Sequence, residues 1–529
     1  MNEKTPQKVV APRRRLSLWW WLAAVVMVLV VLPILAHFYS TSEYFSPELI
    51  ISKETTYITE PLTPEGLPDY AAWLNRRLRQ GVTPENNAVV LLLKALGPRP
   101  GGEILPPGVF RQLGMSPPQE QGEYFLPIWK GLSLHFPGDK ESRDRWSDLW
   151  RKLAERPWHR REAPLLVELL EDNHRPLVLV RRASLRPRFF MPIMLHPHTR
   201  APFPCIGLWR GFREVVSALS LRAMLHLGHG RVEEAWQDLL TLKRLGRLLE
   251  QELFGFSMQL GWAAEKMAAD GTMRLLTHAE LDKITLQHYL QQWRQLPTVA
   301  DATESLDWGE RFSTLGELIS LWQTPTSQVR SLQPYLTGGL PLRDLDINHI
   351  LRRVNQFYDQ AVQVERTRSY LQVKAQFDAW EAEAQQKAED PWLLVAAFVN
   401  RTARSERMAH KVVALLAVWF IFKRDELCAR QYHLLVETAL ALAVYRARCG
   451  HYPEKLEELV PELLPQVPVD LFAPGQTLIY RREGEGYVLY SVGRNGVDDR
   501  GRPSSLKAQD DLGFRILPRS NQRLPLVAP

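Results

Sequence analysis

The chain has 529 residues, of which 45% are hydrophobic and 24% charged, with 38 prolines, 30 glycines and three cysteines. It is too apolar for a disordered chain and too long for one ordinary core. Lys4, Lys8, Arg13, Arg14 and Arg15, set against Glu3, supply more than half of the formal excess of +7, so the remainder offers no electrostatic case for nucleic acid as a partner.

Residues 1–15 read as a basic cytoplasmic tail. From Leu16 to Ala36 the run LSLWWWLAAVVMVLVVLPILA is free of charge over 21 residues, enough to cross about 30 Å of hydrocarbon as a helix. Trp19, Trp20 and Trp21 stand at the basic end and His37, Phe38 and Tyr39 at the other, where aromatic rings favour the headgroup layer. This pattern predicts a single transmembrane helix over 16–38, with the N-terminus in the cytoplasm of a bacterium and the bulk beyond its inner membrane. The lipid bilayer is then a partner through residues 16–38. Bulky HFYSTSEYF follows Ala36, where cleavage of a signal peptide would need small residues. VVALLAVWFIF, from Val412 to Phe422, is too short to cross and reads as a buried core helix.

Residues 39–210 read as a stalk and an irregular helix-rich domain. Thr55–Ile58 suggests a short strand, and helices are expected over Asp69–Gln80 and Glu85–Leu96, the second capped by Thr83 with Pro84 in its first turn. A further helix is expected over Glu162–Asp172, and the following PLVLVRRAS fits either a strand or a helix. Arg181, Arg182, Arg186 and Arg188 could serve an anionic polymer or lipid headgroup, but a solvated face is the ordinary use of such a cluster.

Residues 211–342 read as a helical domain. Its hairpin, Phe212–Gly228 and Val232–Leu249, resembles one tetratricopeptide-type pair, although no second copy follows. In the long-helix region 343–429, Ile347, Ile350, Leu351, Val354, Phe357, Tyr358, Ala361 and Val364 form an apolar stripe of helical period. Residues 430–517 form a different module. The helix from Asp425 to Cys449 ends at Gly450, Pro453–Leu459 makes a short helix, and TLIYRR and YVLYSV make a hairpin around Glu483–Gly486. The tail 518–529 is expected to be flexible. Cys205, Cys428 and Cys449 lack CxxC spacing, and a helix holding Cys428 and Cys449 would set them about 30 Å apart, so buried free thiols are expected.

ALAVYRARCGHYPEKLEELV, together with Pro468, Asp470, Phe472 and YVLYSVGRNGVDD, resembles the C-terminal part of the major pseudopilins of type II secretion systems. The whole chain resembles a group of uncharacterised single-pass bacterial membrane proteins that carry TPENNAVVLLLKALGP. The pseudopilin resemblance implies a calcium-binding loop after the last strand, for which Asp498 and Asp499 are the candidate ligands here, beside Ser491, Asn495, Asp510 and Asp511. The family's ligand spacing is not reproduced, and a polar turn explains the same residues. The peptidase motif that precedes a pseudopilin's membrane helix is replaced by Arg13, Arg14, Arg15 and Leu16.

Two histidine pairs stand out, His196 with His198 and His226 with His229, but neither has an acidic or cysteine ligand at a recognised metal-binding offset. No nucleophile elbow, phosphate loop, HExxH or GxGxxG occurs, and the paired acids Glu233 and Glu234 have no assigned acid or base role. The expected fold class is mainly α, with a single N-terminal transmembrane helix, helical extracytoplasmic domains and a small α+β pseudopilin-like C-terminal module. The expected function is that of a membrane-anchored extracytoplasmic scaffold or interaction protein with partners in the envelope, without enzymatic activity and with no cofactor beyond that calcium. The alternatives are a structural component of type II secretion or pilus-type machinery, and a membrane-bound envelope hydrolase with a site assembled from distant residues.

Overall fold

The computed structural model describes residues 48–516, apart from 103, 196–200, 204, 324–344, 368, 418–420 and 502–510. The described residues are mainly helical, with two small antiparallel sheets. Among the described residues no helix is long and apolar enough to cross a membrane. The expected fold class is corrected on this point, and the stretch 16–38 on which it rested lies outside the described residues. The bilayer as partner, the inner-membrane topology and the anchored-scaffold function rested on that stretch, and no described helix supports them. The longest described helix, Ile421–Cys449, carries Lys423, Arg424, Asp425, Glu426 and Arg430 among its apolar positions and is no candidate span.

The first helices are α1 (Tyr70–Leu78), α2 (Ala88–Leu96), α3 (Pro107–Leu113), α4 (Ile128–His135) and α5 (Lys140–Leu153). Helix α2 starts later than Thr83 and Pro84 predict, because Asn87 is the stronger cap. Its side-chain oxygen accepts from Val89 N–H and from Phe190 N–H, while its amide donates to Phe190 O. PLVLVRRAS is helical, lying in α7 (His174–Ser184), which follows α6 (Pro164–Asp172). The strand suggested at 55–58 does not form. Thr56 N–H and Tyr57 N–H bond back to Ser52 O instead and make a turn.

The central layer is formed by α8 (Ile206–Gly228), α9 (Val232–Leu249), α10 (Gly255–His278) and α11 (Lys283–Arg294). Helices α9 and α10 approach backbone to backbone at Gly246 and Gly261. A Cβ on Gly246 would meet Gly261 O at 2.7 Å, and one on Gly261 would meet Gly246 O at 2.8 Å, so only glycine permits this packing.

A π-helical turn, Ser305–Glu310, leads into α12 (Arg311–Gln323). The stripe from Ile347 to Val364 lies in α13 (Ile347–Thr367), which is followed by α14 (Tyr370–Ala388), α15 (Pro391–Val399), α16 (Arg401–Ala417) and α17 (Ile421–Cys449). Arg311 is fully buried. It pairs with Asp307 at 2.7 Å and Asp359 at 2.8 Å, and its guanidinium lies 4.1 Å from the Tyr57 ring centroid. Asn348 and Asn355 bind the backbone of residues 48–55 with their side-chain amides.

Besides the two-residue ladder of β1 (Met194–Leu195) and β2 (Pro202–Phe203), the sheet after α17 has three strands, β3 (Ile479–Glu483), β4 (Gly486–Ser491) and β5 (Leu512–Ile516), in the order β3-β4-β5. The third strand was not anticipated from the sequence. It pairs Tyr487 with Ile516 and so covers the open edge of β4. Buried Asp470 ties the preceding loop to this sheet by accepting from Phe472 N–H, Ser491 Oγ–H and Val492 N–H. Among the described residues none of the three cysteines forms a disulfide, but Cys428 is only half-buried and Cys449 is exposed, so not all are buried thiols.

Candidate functional site: an arginine- and histidine-lined cleft

A cavity of about 800 Å³ opens between the α6–α7 pair and the ends of α8 and α9 where they meet. Its shape is set by the segment 157–163 folding back on the end of α8. Trp158 is fully buried, its indole N–H donates to Leu221 O at 3.1 Å, and its backbone N–H reaches Met224 O at 3.3 Å. Gly228 makes that contact possible, since a Cβ there would stand 2.0 Å from Trp158 O. Glu162 closes the turn by accepting from His159 N–H at 2.8 Å and from Arg156 at 2.6 Å.

The opposite wall depends on Asn173, fully buried at the junction of α6 and α7. Its side chain accepts from Leu126 N–H at 2.8 Å and donates to Leu126 O at 2.9 Å and Leu169 O at 2.8 Å. The junction faces Val167 and Leu170 of α6, and Leu177 and Val178 of α7, toward the cavity, opposite Leu225 of α8.

The charged groups lie at two depths. Deep in the cleft, Arg222 of α8 grips Asp238 of α9 with two bonds, Nε to Oδ2 at 2.9 Å and Nη2 to Oδ1 at 2.6 Å. This fork geometry is the strong form of an arginine–carboxylate pair. His226 Nε2 stands 3.8 Å from the same carboxylate, beyond hydrogen-bond length. Burial pushes the His226 imidazole down to about 4; Asp238 pulls it up, while Arg222 and Arg231 reinforce the fall. It is therefore neutral at pH 7. At the mouth, Arg160 pairs with Glu171 at 2.6 Å, and its backbone N–H donates to His229 Nε2 at 3.2 Å. That bond requires the lone pair on His229 Nε2, in keeping with an imidazole held below its ordinary range by burial and by Arg231, His159 and Arg160. Arg181 of α7 crosses to Gln237 of α9 at 3.0 Å, whereas Arg231, just before α9, forms no ion pair among the described residues.

Of the residues singled out from the sequence, His226, His229, Arg181 and Glu234 converge here. The others disperse. Arg186 is structural, donating to Pro84 O and Asn87 O, and Glu233 accepts from Tyr289 O–H. His196 and His198 lie outside the described residues. Asp498 accepts from Tyr490 O–H and Arg500 N–H, and Asp499 accepts from Asn495. Asp511, raised first by burial and further by Asp499 and Asp498, lies close to both. Among the described residues no group of three or more His, Cys, Asp or Glu side chains could hold a metal ion. Sequence reading did not single out Arg160, Arg222, Arg231 or Asp238. The spacing of Arg222 and His226, one turn apart on the face of α8 that meets α9, was the available signal.

No protein-family model matches the chain, and comparison with curated proteins and with solved structures finds no significant match. The resemblance to major pseudopilins and to the single-pass membrane group is corrected accordingly. No family match supports it, and the described chain is helical without a membrane-spanning helix.

Proposed function

We propose that this is a binding protein, without catalytic chemistry of its own, whose cleft takes a small anionic ligand. The observation that carries the reading is the convergence of four guanidinium groups on one cavity, from Arg160, Arg181, Arg222 and Arg231, with Arg181 and Arg231 outside any ion pair among the described residues. Arginine presents a planar fork of donors that matches carboxylate and phosphate oxygens. A cavity of about 800 Å³ falls in the range of small-molecule sites. The absence of chemistry is proposed on the state of the imidazoles. A general base works best with a pKa near the working pH, and His226, at about 4, is a weak one.

The test is a melting-temperature comparison in phosphate, acetate and chloride at fixed ionic strength. A ligand that binds only the folded state raises stability in proportion to the logarithm of its concentration over Kd. Phosphate or acetate should raise the melting temperature of the wild type and leave the Arg181→Ala/Arg231→Ala variant unmoved. Equal behaviour of the two proteins would end the reading.

A further inference from the structure

We infer that the ligand is an amphipathic monoanion, a single carboxylate carrying an aliphatic or aromatic body. The inference rests on the anion-binding reading and deepens it. Two of the four arginines are already neutralised, Arg160 by Glu171 and Arg222 by both oxygens of Asp238. Arg181, Arg231 and Glu234 remain, and His226 and His229 add no positive charge near pH 7. Counted over the Arg, Asp and Glu side chains that line it, the cleft presents one net positive charge. A single carboxylate balances it, whereas a polyphosphate would bring several negative charges against Glu171, Glu234 and Asp238 without cations to match.

The second half of the inference comes from the walls. Leu170, Leu177 and Leu225 are buried beside the cavity, and Val178 is 38% exposed at its edge. A bare oxyanion would touch few of these side chains and would leave most of about 800 Å³ unfilled. A ligand with an apolar body would cover Val178, the exposed part of this apolar wall, while its head stays at the arginines. Each methylene so buried is worth about a fourfold gain in affinity.

Calorimetric titration of the full chain with acetate, butanoate, hexanoate and octanoate reads both halves, with octanamide as the uncharged counterpart and inorganic phosphate as the bare anion. Affinity should climb about fourfold per methylene over the first additions. Octanamide should bind at least tenfold more weakly than octanoate, and Arg231→Ala should lose about tenfold for octanoate. Val178→Asp, at an exposed position that tolerates a polar side chain, should weaken octanoate far more than acetate. If phosphate and acetate bind as tightly as octanoate, the amphipathic class is overturned while the anion site stands. If octanamide binds as well as octanoate, or if no anion binds, both readings fall.

Discussion

Lys243 Nζ lies 2.8 Å from Glu265 Oε2, and neither side chain has any solvent exposure. The pair joins α9 to α10 beside the Gly246–Gly261 contact, and it is embedded in a larger network. Glu265 also stands 2.7 Å from Arg247, Arg247 is 3.4 Å from Glu250, and Glu250 accepts from Ala300 N–H at 2.9 Å. Lys243 further lies 5.0 Å from the Trp293 ring centroid. Burial drives the Lys243 ammonium down, against the pull of Glu265, and drives the Glu250 carboxyl up.

A buried pair is costly to break and often neutral to replace as a whole. Glu265→Leu alone should therefore destabilise the protein by about 3–5 kcal/mol, because Lys243 is left buried without its closest partner. Lys243→Met/Glu265→Leu should be less damaging than Glu265→Leu by itself. Urea midpoints of the four proteins test this, and a double variant whose loss equals the sum of the two single losses would refute it.

The pH dependence follows from Glu310 and Glu252. Both are buried carboxyls pushed up to about 7. Burial is the main cause for each, opposed by Gly255 N–H at Glu310 and by Ser257 and Trp209 at Glu252. A carboxyl raised in the folded state favours the protonated form, so its contribution is complete below the unfolded value near 4.5 and is lost as pH rises toward 7. His226 has the opposite sign. Its folded value of about 4 makes its contribution complete above 6.5 and lost as pH falls toward 4. The two trends partly cancel in wild type, and a neutral isostere separates them. From pH 5 to pH 8, Glu310→Gln should gain on wild type by on the order of 2 kcal/mol. A gap that stays constant with pH would show that Glu310 does not titrate in this range.

Gly228 offers a probe of the cleft's construction. Alanine there would put its Cβ 2.0 Å from Trp158 O and 2.6 Å from Trp158 C, both main-chain atoms that cannot rotate away. The segment 157–163 would have to lift, at a cost of about 1–3 kcal/mol. Trypsin should then cut after the exposed Arg160 and Arg161 faster in Gly228→Ala than in wild type. Equal cleavage rates would mean that the segment does not depend on this contact.

How far the sequence could be read is clear from particular residues. The α8–α9 hairpin was legible because its apolar positions repeat at helical spacing and Gly230 takes φ +73° in the turn. The strands flanking Glu483–Gly486 were legible from alternation and β-branched and aromatic content. The start of α2 was misjudged because Asn87 is held by Phe190, more than a hundred residues away, a contact that local capping rules do not contain. The apolar stripe from Ile347 to Val364 was legible from its helical period and lies within the single helix α13. Half the cleft was within reach, since His226 and His229 were visible as a pair. Arg160 and Arg222 were not, because their meaning depends on Glu171 and Asp238 from other helices. Charge pairing across helices has no local signature, whereas hydrophobic periodicity does.

Asn173 tests whether the apolar wall and the cleft share one foundation. Its side chain makes three hydrogen bonds to main-chain groups of Leu126 and Leu169, and no other described side chain bonds to the Leu126 backbone. Asn173→Ala leaves those groups to find other partners in a region with little solvent, which costs about 1–3 kcal/mol. Asn173→Asp keeps the acceptor for Leu126 N–H but turns a donor toward two carbonyls into a buried negative charge, so it should be worse than alanine. The expected order of urea midpoints is wild type, Asn173→Ala, Asn173→Asp at pH 7, with the last two converging as pH falls and the introduced carboxyl is protonated. If aspartate matches wild type at pH 7, the two donor bonds contribute nothing, and the α6–α7 junction is held by packing of Leu166, Leu169, Leu170 and Leu177 alone.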